Sequence, residues 1–188
     1  ELHPLVVLGA IVAGSTLFIP VHVAGALFEV GDGHAAQGDG EVDQTAIETS
    51  LTGRLQLILR KGRRLAWPRG ETPTHVITMG TDTSLTVATR IALREMITYL
   101  MEARGLPQVE AYRLASIAGD LRITQLVDGK VGVHMMIPKS LTGTGAMSPD
   151  LPPRGPIDTM ALLVSELEEV DSQVVEQRDG VVGCCRPG

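Results

Sequence analysis

The sequence predicts an α+β fold: a β-rich N-terminal part, a helix pair, then a β-hairpin, with a flexible C-terminal tail. Three observations carry this. β-branched and apolar residues cluster in short runs before residue 80, helical periodicity takes over from Ser84 to Arg104, and two apolar runs flank the turn dipeptide Asp128-Gly129.

In order, Ser15 to Val23 and Ala26 to Val30 read as strands joined at Ala24-Gly25. Thr45 to Thr49 and Arg54 to Leu59 read as strands joined near Thr52-Gly53, and Arg64 to Pro68 and His75 to Met79 add shorter extended pieces. The period then changes. Leu85, Ala88, Ala92, Met96, Tyr99, Leu100 and Ala103 recur at helical spacing behind an Asp82/Ser84 start signal, and Gly105-Leu106-Pro107 stops the helix. Pro107 to Ala118 is a second helix, with Pro at its start and Gly119 at its end. Leu121 to Val127 and Val131 to Ile137 form a hairpin around Asp128-Gly129. After Lys139 the composition turns to that of a linker, and an amphipathic helix is expected between Ile157 and Val170.

With 188 residues the chain is long enough to bury a core. Its net charge of −6 argues against a nucleic-acid partner, and the basic run Arg60-Lys61-Gly62-Arg63-Arg64 has no aromatic stacking platform beside it. The only cysteines, Cys184 and Cys185, are adjacent near the end, so no disulfide framework forms in the body and a reducing cytoplasm is expected. Leu5 to Phe28 lacks charged side chains, yet Pro20, His22 and three glycines interrupt it, so it is not read as a membrane span. No Met or basic leader precedes it, and the expectation is a fragment or processed piece.

The segment Gly31-Asp32-Gly33-His34-Ala35-Ala36-Gln37-Gly38-Asp39-Gly40-Glu41 spaces carboxylates, an imidazole and an amide with glycines and alanines only. No Lys or Arg occurs before Arg54, while Glu29, Asp32, Asp39, Glu41, Asp43 and Glu48 accumulate in about twenty residues. Their repulsion must be relieved by solvent, protonation, a cation or the basic residues that follow. A divalent metal, zinc foremost, suits this mixture of oxygen and imidazole donors. A solvated acidic loop with Asp side chains capping turns is the other reading.

Several segments together resemble the acetamidase/formamidase family: GDGHAAQGDGEV from Gly31, TAIETSL from Thr45, LAWPRGETPTHVITMG from Leu65, IALREMITYL from Ile91, and AGDLRITQLVDGKVGVHMMIPK ending at Lys139. The resemblance covers roughly residues 12 to 140 and corresponds to the C-terminal portion of such proteins. It implies a metal-associated hydrolase that releases ammonia from formamide or acetamide, with residues 1–141 as the catalytic region and 142–188 as linker and acidic tail. It also implies a homo-oligomer or pairing with a missing N-terminal portion. The chain departs from the family pattern at Asp43-Gln44, where Cys-Gly is usual, in Glu1 to Gly9, and after Ser140.

Amide hydrolysis needs a strong nucleophile, a polarised carbonyl and an acid for the departing nitrogen. The body has no Cys, and no Gly-x-Ser-x-Gly or Ser-x-x-Lys signature, which leaves a metal-activated water. Asp32 and His34, two apart in extended backbone, are expected to share a side and to ligate the ion. Glu41 is expected as general base and later proton donor, Asp39 as third ligand or as the acceptor that orients His34, and Gln37 as donor to the amide carbonyl. Asp120, Gln125, His134 and Glu48 are second-tier candidates for the pocket. His22 and His75 read as hydrogen-bonded strand residues.

Overall fold

The computed structural model describes residues 11–25, 28–62, 65–142, 159–169 and 182–183. In chain order the elements are β1 (Thr16–Pro20), β2 (His34–Ala36), β3 (Ile47–Glu48), β4 (Leu51–Arg60), β5 (Arg69–Glu71), β6 (His75–Asp82), α1 (Leu85–Arg104), α2 (Gln108–Ala118), β7 (Asp120–Gln125), β8 (Val131–Pro138), α3 (Lys139–Thr142), β9 (Thr159–Glu169) and β10 (Val182–Gly183). Eight of these strands form one antiparallel sheet in the order β10-β4-β9-β1-β5-β6-β8-β7, and β2 and β3 pair separately. Among the described residues, no helix is long and apolar enough to cross a membrane.

The helix pair lies where its period placed it. Asp82 Oδ1 accepts the Ser84 backbone N–H at 2.8 Å, which holds the entry to α1, and Gly105 ends the helix with φ 63°, a left-handed conformation that costs glycine little. Ala88, Ala92, Met96, Tyr99 and Leu100 are the buried stripe of α1, and they pack with Ala111 and Ala115 of α2 against Val76, Val133, Met135 and Ile137 of the sheet. Each large side chain buried here contributes about 1.5–3 kcal/mol. The small residues of α1 let it lie close to β6: a Cβ on Gly80 would sit 2.4 Å from the Ala88 carbonyl oxygen and 2.8 Å from the Ala92 nitrogen. Thr78 Oγ1 donates to the Ala92 carbonyl at 2.8 Å across the same contact. Gly119 ends α2 in extended rather than left-handed backbone, at φ −94°. Its role is close approach, since a Cβ there would lie 2.6 Å from the Ala115 carbonyl oxygen.

Side chains of a strand alternate between faces, so Val76, Thr78, Val133 and Met135 face the helices while Ile77, Met79, His134 and Met136 face away. On that opposite face a second core joins Leu17, Ile77, Met79 and Leu162, with Ile19, Leu55 and Met136 packed beside them. On the same face Arg122 of β7, opposite His134, meets Asp39 of the acidic segment.

Four sequence expectations are corrected. Residues 159–169 form a strand between β1 and β4 instead of the helix expected over Ile157 to Val170. Met160 to Val164 is a continuous apolar run with Ala161, Leu162 and Val164 buried, a pattern that a strand hydrogen-bonded on both sides and a buried helix share. Thr52-Gly53 lies inside β4 and is no turn, and Ile47–Glu48 pairs with β2 instead of β4. The first strand stops at Pro20, and residues 28–30 are not strand, while Ala26 and Leu27 fall outside the described residues. Leu65 to Pro68 is irregular, Arg64 falls outside the described residues, and the next strand begins at Arg69. Residues 1–10 and Cys184-Cys185 also fall outside them.

Candidate functional site

The acidic segment becomes a site through pairing across fourteen residues of chain. His34 of β2 stands directly opposite Glu48 of β3, a position that puts the two side chains on one face. Asp32 joins them by a route other than strand alternation: its φ of 61° is left-handed and bends the chain back toward His34. Gly33 permits this bend, because a Cβ there would lie 2.8 Å from Leu51 Cγ and 2.9 Å from the Thr49 carbonyl oxygen. Asp32, His34 and Glu48 each offer one donor atom, all within 4.8 Å of one another. These three can hold a metal ion.

Gln37 and Glu41 extend the cluster. The Gln37 amide oxygen lies 2.8 Å from His34 Nδ1, and its amide nitrogen donates to Glu41 Oε2 at 3.4 Å. The other ring nitrogen, Nε2, is 3.0 Å from Asp32 Oδ1. Burial pulls the His34 pKa down, but the hydrogen bonds to Gln37 and Asp32 and the charges of Asp32 and Glu41 outweigh it and raise the value above the ordinary 6.5. A proton on Nε2 thus does part of what a cation would do there. The donor set, one imidazole and two carboxylates, fits a borderline divalent ion.

The segment then crosses to the end of β7. Gly38 and Gly40 form a turn in which the Glu41 N–H donates to the Gly38 carbonyl at 3.3 Å. Gly40 bridges to the main sheet, donating to the Thr124 carbonyl at 3.2 Å and accepting from the Leu126 N–H at 2.8 Å. Asp39 lies 3.5 Å from Arg122, which also pairs with Asp120 at 3.8 Å, and Gln44 Nε2 donates to Asp128 Oδ1 at 3.0 Å. Asp39 is therefore held against β7, while Gln37 takes the hydrogen-bonding position on the His34 ring.

His134 is 2% exposed and shares a 2.8 Å hydrogen bond with Thr124 Oγ1. The β7–β8 register slips between Ile123 and Gln125, so Thr124 is an extra residue in the ladder. That bulge returns Gln125 to the face of Arg122 and His134, and Gln125 Oε1 would lie 2.3 Å from a Cβ on Gly132. Asp120, Arg122, Gln125 and His134 consequently share the helix-free face. Arg122 and Thr124 were not expected as site residues, and a bulge leaves no local sequence signal. His22 is exposed after β1, and His75 Nδ1 lies 2.8 Å from Thr74 Oγ1 at the start of β6.

Burial lowers the His134 pKa; the Asp39 charge opposes this shift and the Arg122 charge adds to it. A buried imidazole with a depressed pKa stays neutral in the folded chain while the unfolded chain takes up a proton below about pH 6.5. Stability contributed at neutral pH is therefore lost as pH falls from that value toward the folded pKa. Urea melts of the parent and His134→Gln between about pH 7.5 and 5 are expected to show a steeper acid loss in the parent, bounded by about 1.4 kcal/mol per pH unit. Parallel stability profiles would show that His134 is not held neutral.

Comparison with known proteins comes from a family model and from solved structures; no curated protein matches. The model of the acetamidase/formamidase family matches residues 8–142. An acetamidase from Yersinia enterocolitica is 33% identical with a TM-score of 0.51, over 59% of this chain and 34% of that one. An acetamidase from Bacillus halodurans is 29% identical with a TM-score of 0.57, over 68% of this chain and 43% of that one. A predicted acetamidase/formamidase from Thermoanaerobacter tengcongensis is 28% identical with a TM-score of 0.58, over 68% and 42%. The chain thus spans less than half the length of these relatives. A match over most of the chain, supported by likeness to solved acetamidase structures, makes this chain a member of the acetamidase/formamidase family.

Proposed function

We propose that this chain carries the hydrolytic site of an amidohydrolase that cleaves the C–N bond of formamide- or acetamide-like substrates, giving carboxylate and ammonia. The observation that carries the reading is the approach of Glu48 to Asp32 and His34 inside a segment matched by the family model. Zinc is the proposed ion, since one imidazole with two carboxylates is a donor set it accepts readily. When bound, it would polarise the carbonyl and bring the pKa of water to about 7.

The residues of the chain divide the remaining work. Asp32, His34 and Glu48 hold the ion. Glu41, tethered through Gln37, takes a proton from the attacking water and returns it to the departing nitrogen. Asp39, held by Arg122, and Asp120, Gln125 and His134 form the polar wall, where a neutral imidazole can exchange hydrogen bonds with an amide without protonating it. Because the relatives are much longer, the proposed complete site includes a second copy or the family's N-terminal portion, in a cytoplasmic setting consistent with the sparse cysteines.

Ammonia release from formamide and acetamide, measured with and without chelator and again in Glu41→Gln, tests this reading. Loss of turnover with chelator, and a fall of about 100-fold or more in the variant, are expected. Chelator-insensitive turnover would overturn the ion, and full activity in the variant would overturn the role of Glu41. Ion-dependent stabilisation with no turnover, even beside the longer family protein's N-terminal portion, would favour a structural module instead.

A further inference from the structure

We propose that Thr124 is a positioning residue that sets His134 and the acidic segment against each other through one bulged position of β7. Its two oxygens serve different halves of the site. The carbonyl accepts the Gly40 N–H at 3.2 Å, and the Gly40 carbonyl accepts the Leu126 N–H at 2.8 Å, so the turn that carries Asp39 and Glu41 is seated on the bulge. The hydroxyl lies 2.8 Å from His134 Nδ1, with Thr124 7% and His134 2% exposed. A hydroxyl can donate or accept, so it serves either neutral form of the ring. What it fixes is the direction of the ring: with Nδ1 tethered to β7, Nε2 is the nitrogen left for another partner.

The bulge makes both bonds available at one residue. Ile123 stands opposite Val133 and Gln125 opposite Gly132, so Thr124 has no opposite residue in β8. It is free to turn its carbonyl to the acidic segment and its hydroxyl to the neighbouring strand. Arg122, opposite His134, holds Asp39 at 3.5 Å beside this backbone bridge. The hydroxyl is the part that cannot be spared: Val would fill the same space with a methyl and leave Nδ1 buried without a partner, whereas Ser would keep the oxygen. The effect on turnover rests on the proposed hydrolysis, in which His134 lines the amide site; the hold on the ring does not.

The test compares Thr124→Val and Thr124→Ser with the parent in the full chain. With 15N-labelled histidine, the His134 ring nitrogens are expected to shift in Thr124→Val and to stay near the parent in Thr124→Ser. The Gly40 and Leu126 amides should keep their protection from hydrogen exchange in both, because the backbone bridge does not use the hydroxyl. For formamide and acetamide, kcat should fall about 10–100-fold in Thr124→Val with KM within about twofold of the parent, and Thr124→Ser should recover most of it. Thr124→Ala carries the same comparison where the valine methyl is not accommodated. Unchanged ring signals in Thr124→Val, or a Ser variant as impaired as the Val variant, would overturn the proposal. So would loss of Gly40 protection in Thr124→Val, which would make Thr124 a residue of the scaffold alone. Ring signals that move in Val but not in Ser, in a parent without turnover, would sustain the hold of Thr124 on His134 and remove the hydrolysis, which separates the two claims.

Discussion

Replacing Glu48 by Gln is expected to weaken Zn2+ binding by about 100-fold or more, because groups that merely orient a ligand are already worth about 10–100-fold. Glu48 stands opposite His34 in the β2–β3 pair and contributes one of the three convergent donor atoms. The amide that replaces it keeps the shape and loses the charge. At a Zn2+ concentration about a hundred times the parent's dissociation constant, binding adds about 2.7 kcal/mol to stability, whereas a site weakened a hundredfold adds about 0.4 kcal/mol. For a chain of this size the difference is a rise in melting temperature of about 5–10 °C against about 1 °C. Thermal melts with and without Zn2+ read this directly. Equal ion-dependent rises in both proteins would remove Glu48 from the ligand set.

The second large effect lies on the other face of the sheet. Arg69 of β5 donates through its two terminal nitrogens to Glu95 at 3.2 Å and to Glu102 at 3.3 Å, and its side chain is 5% exposed against 14% and 15% for the carboxylates. Its guanidinium carbon stands 5.8 Å from the centre of the Tyr99 ring. This one side chain therefore ties β5 to two turns of α1. Removing one member of a buried ion pair costs about 3–5 kcal/mol, mostly because its partners stay buried without it. Arg69→Met is expected to lower the melting temperature by about 6–20 °C. Adding Glu95→Gln should recover part of the loss, since that buried carboxylate then no longer keeps a charge beside the missing guanidinium. A single variant that melts within about 2 °C of the parent would show that the carboxylates do not depend on Arg69.

What was legible in the sequence is local. The period from Leu85 to Leu100 predicted α1, and a helical stripe depends only on spacing within the segment. Asp128-Gly129 predicted the turn between β7 and β8, and both residues take positive φ, 69° and 73°, within the link from Leu126 to Lys130. The candidate site was legible in the same sense. Glycines around Asp32 and His34 signalled close approach, and an uncompensated run of carboxylates signalled the need for a cation.

Partners distant in the chain were another matter. Met160 to Val164 has the composition of a helix or of a strand, and only the places left by β1 and β4 on either side make it β9. Glu48 was one carboxylate among several until β2 and β3 paired. Asp39 was expected beside His34 as a third ligand or as the acceptor that orients it, and the turn at Gly38 and Gly40, with Gly40 docked on β7, places it 3.5 Å from Arg122.

By itself, then, the sequence determined the family, the helix pair, the hairpin of β7 and β8 and the stretch in which the polar site forms, because each rests on residues within a few turns or an ordered series of short motifs. The tertiary structure alone decided which carboxylate stands beside His34, which one is drawn away to Arg122, and which strand fills the middle of the sheet. The physical reason is that register, bulges and left-handed residues are settled by contacts between segments many residues apart, and a one-residue slip sends a side chain to the other face.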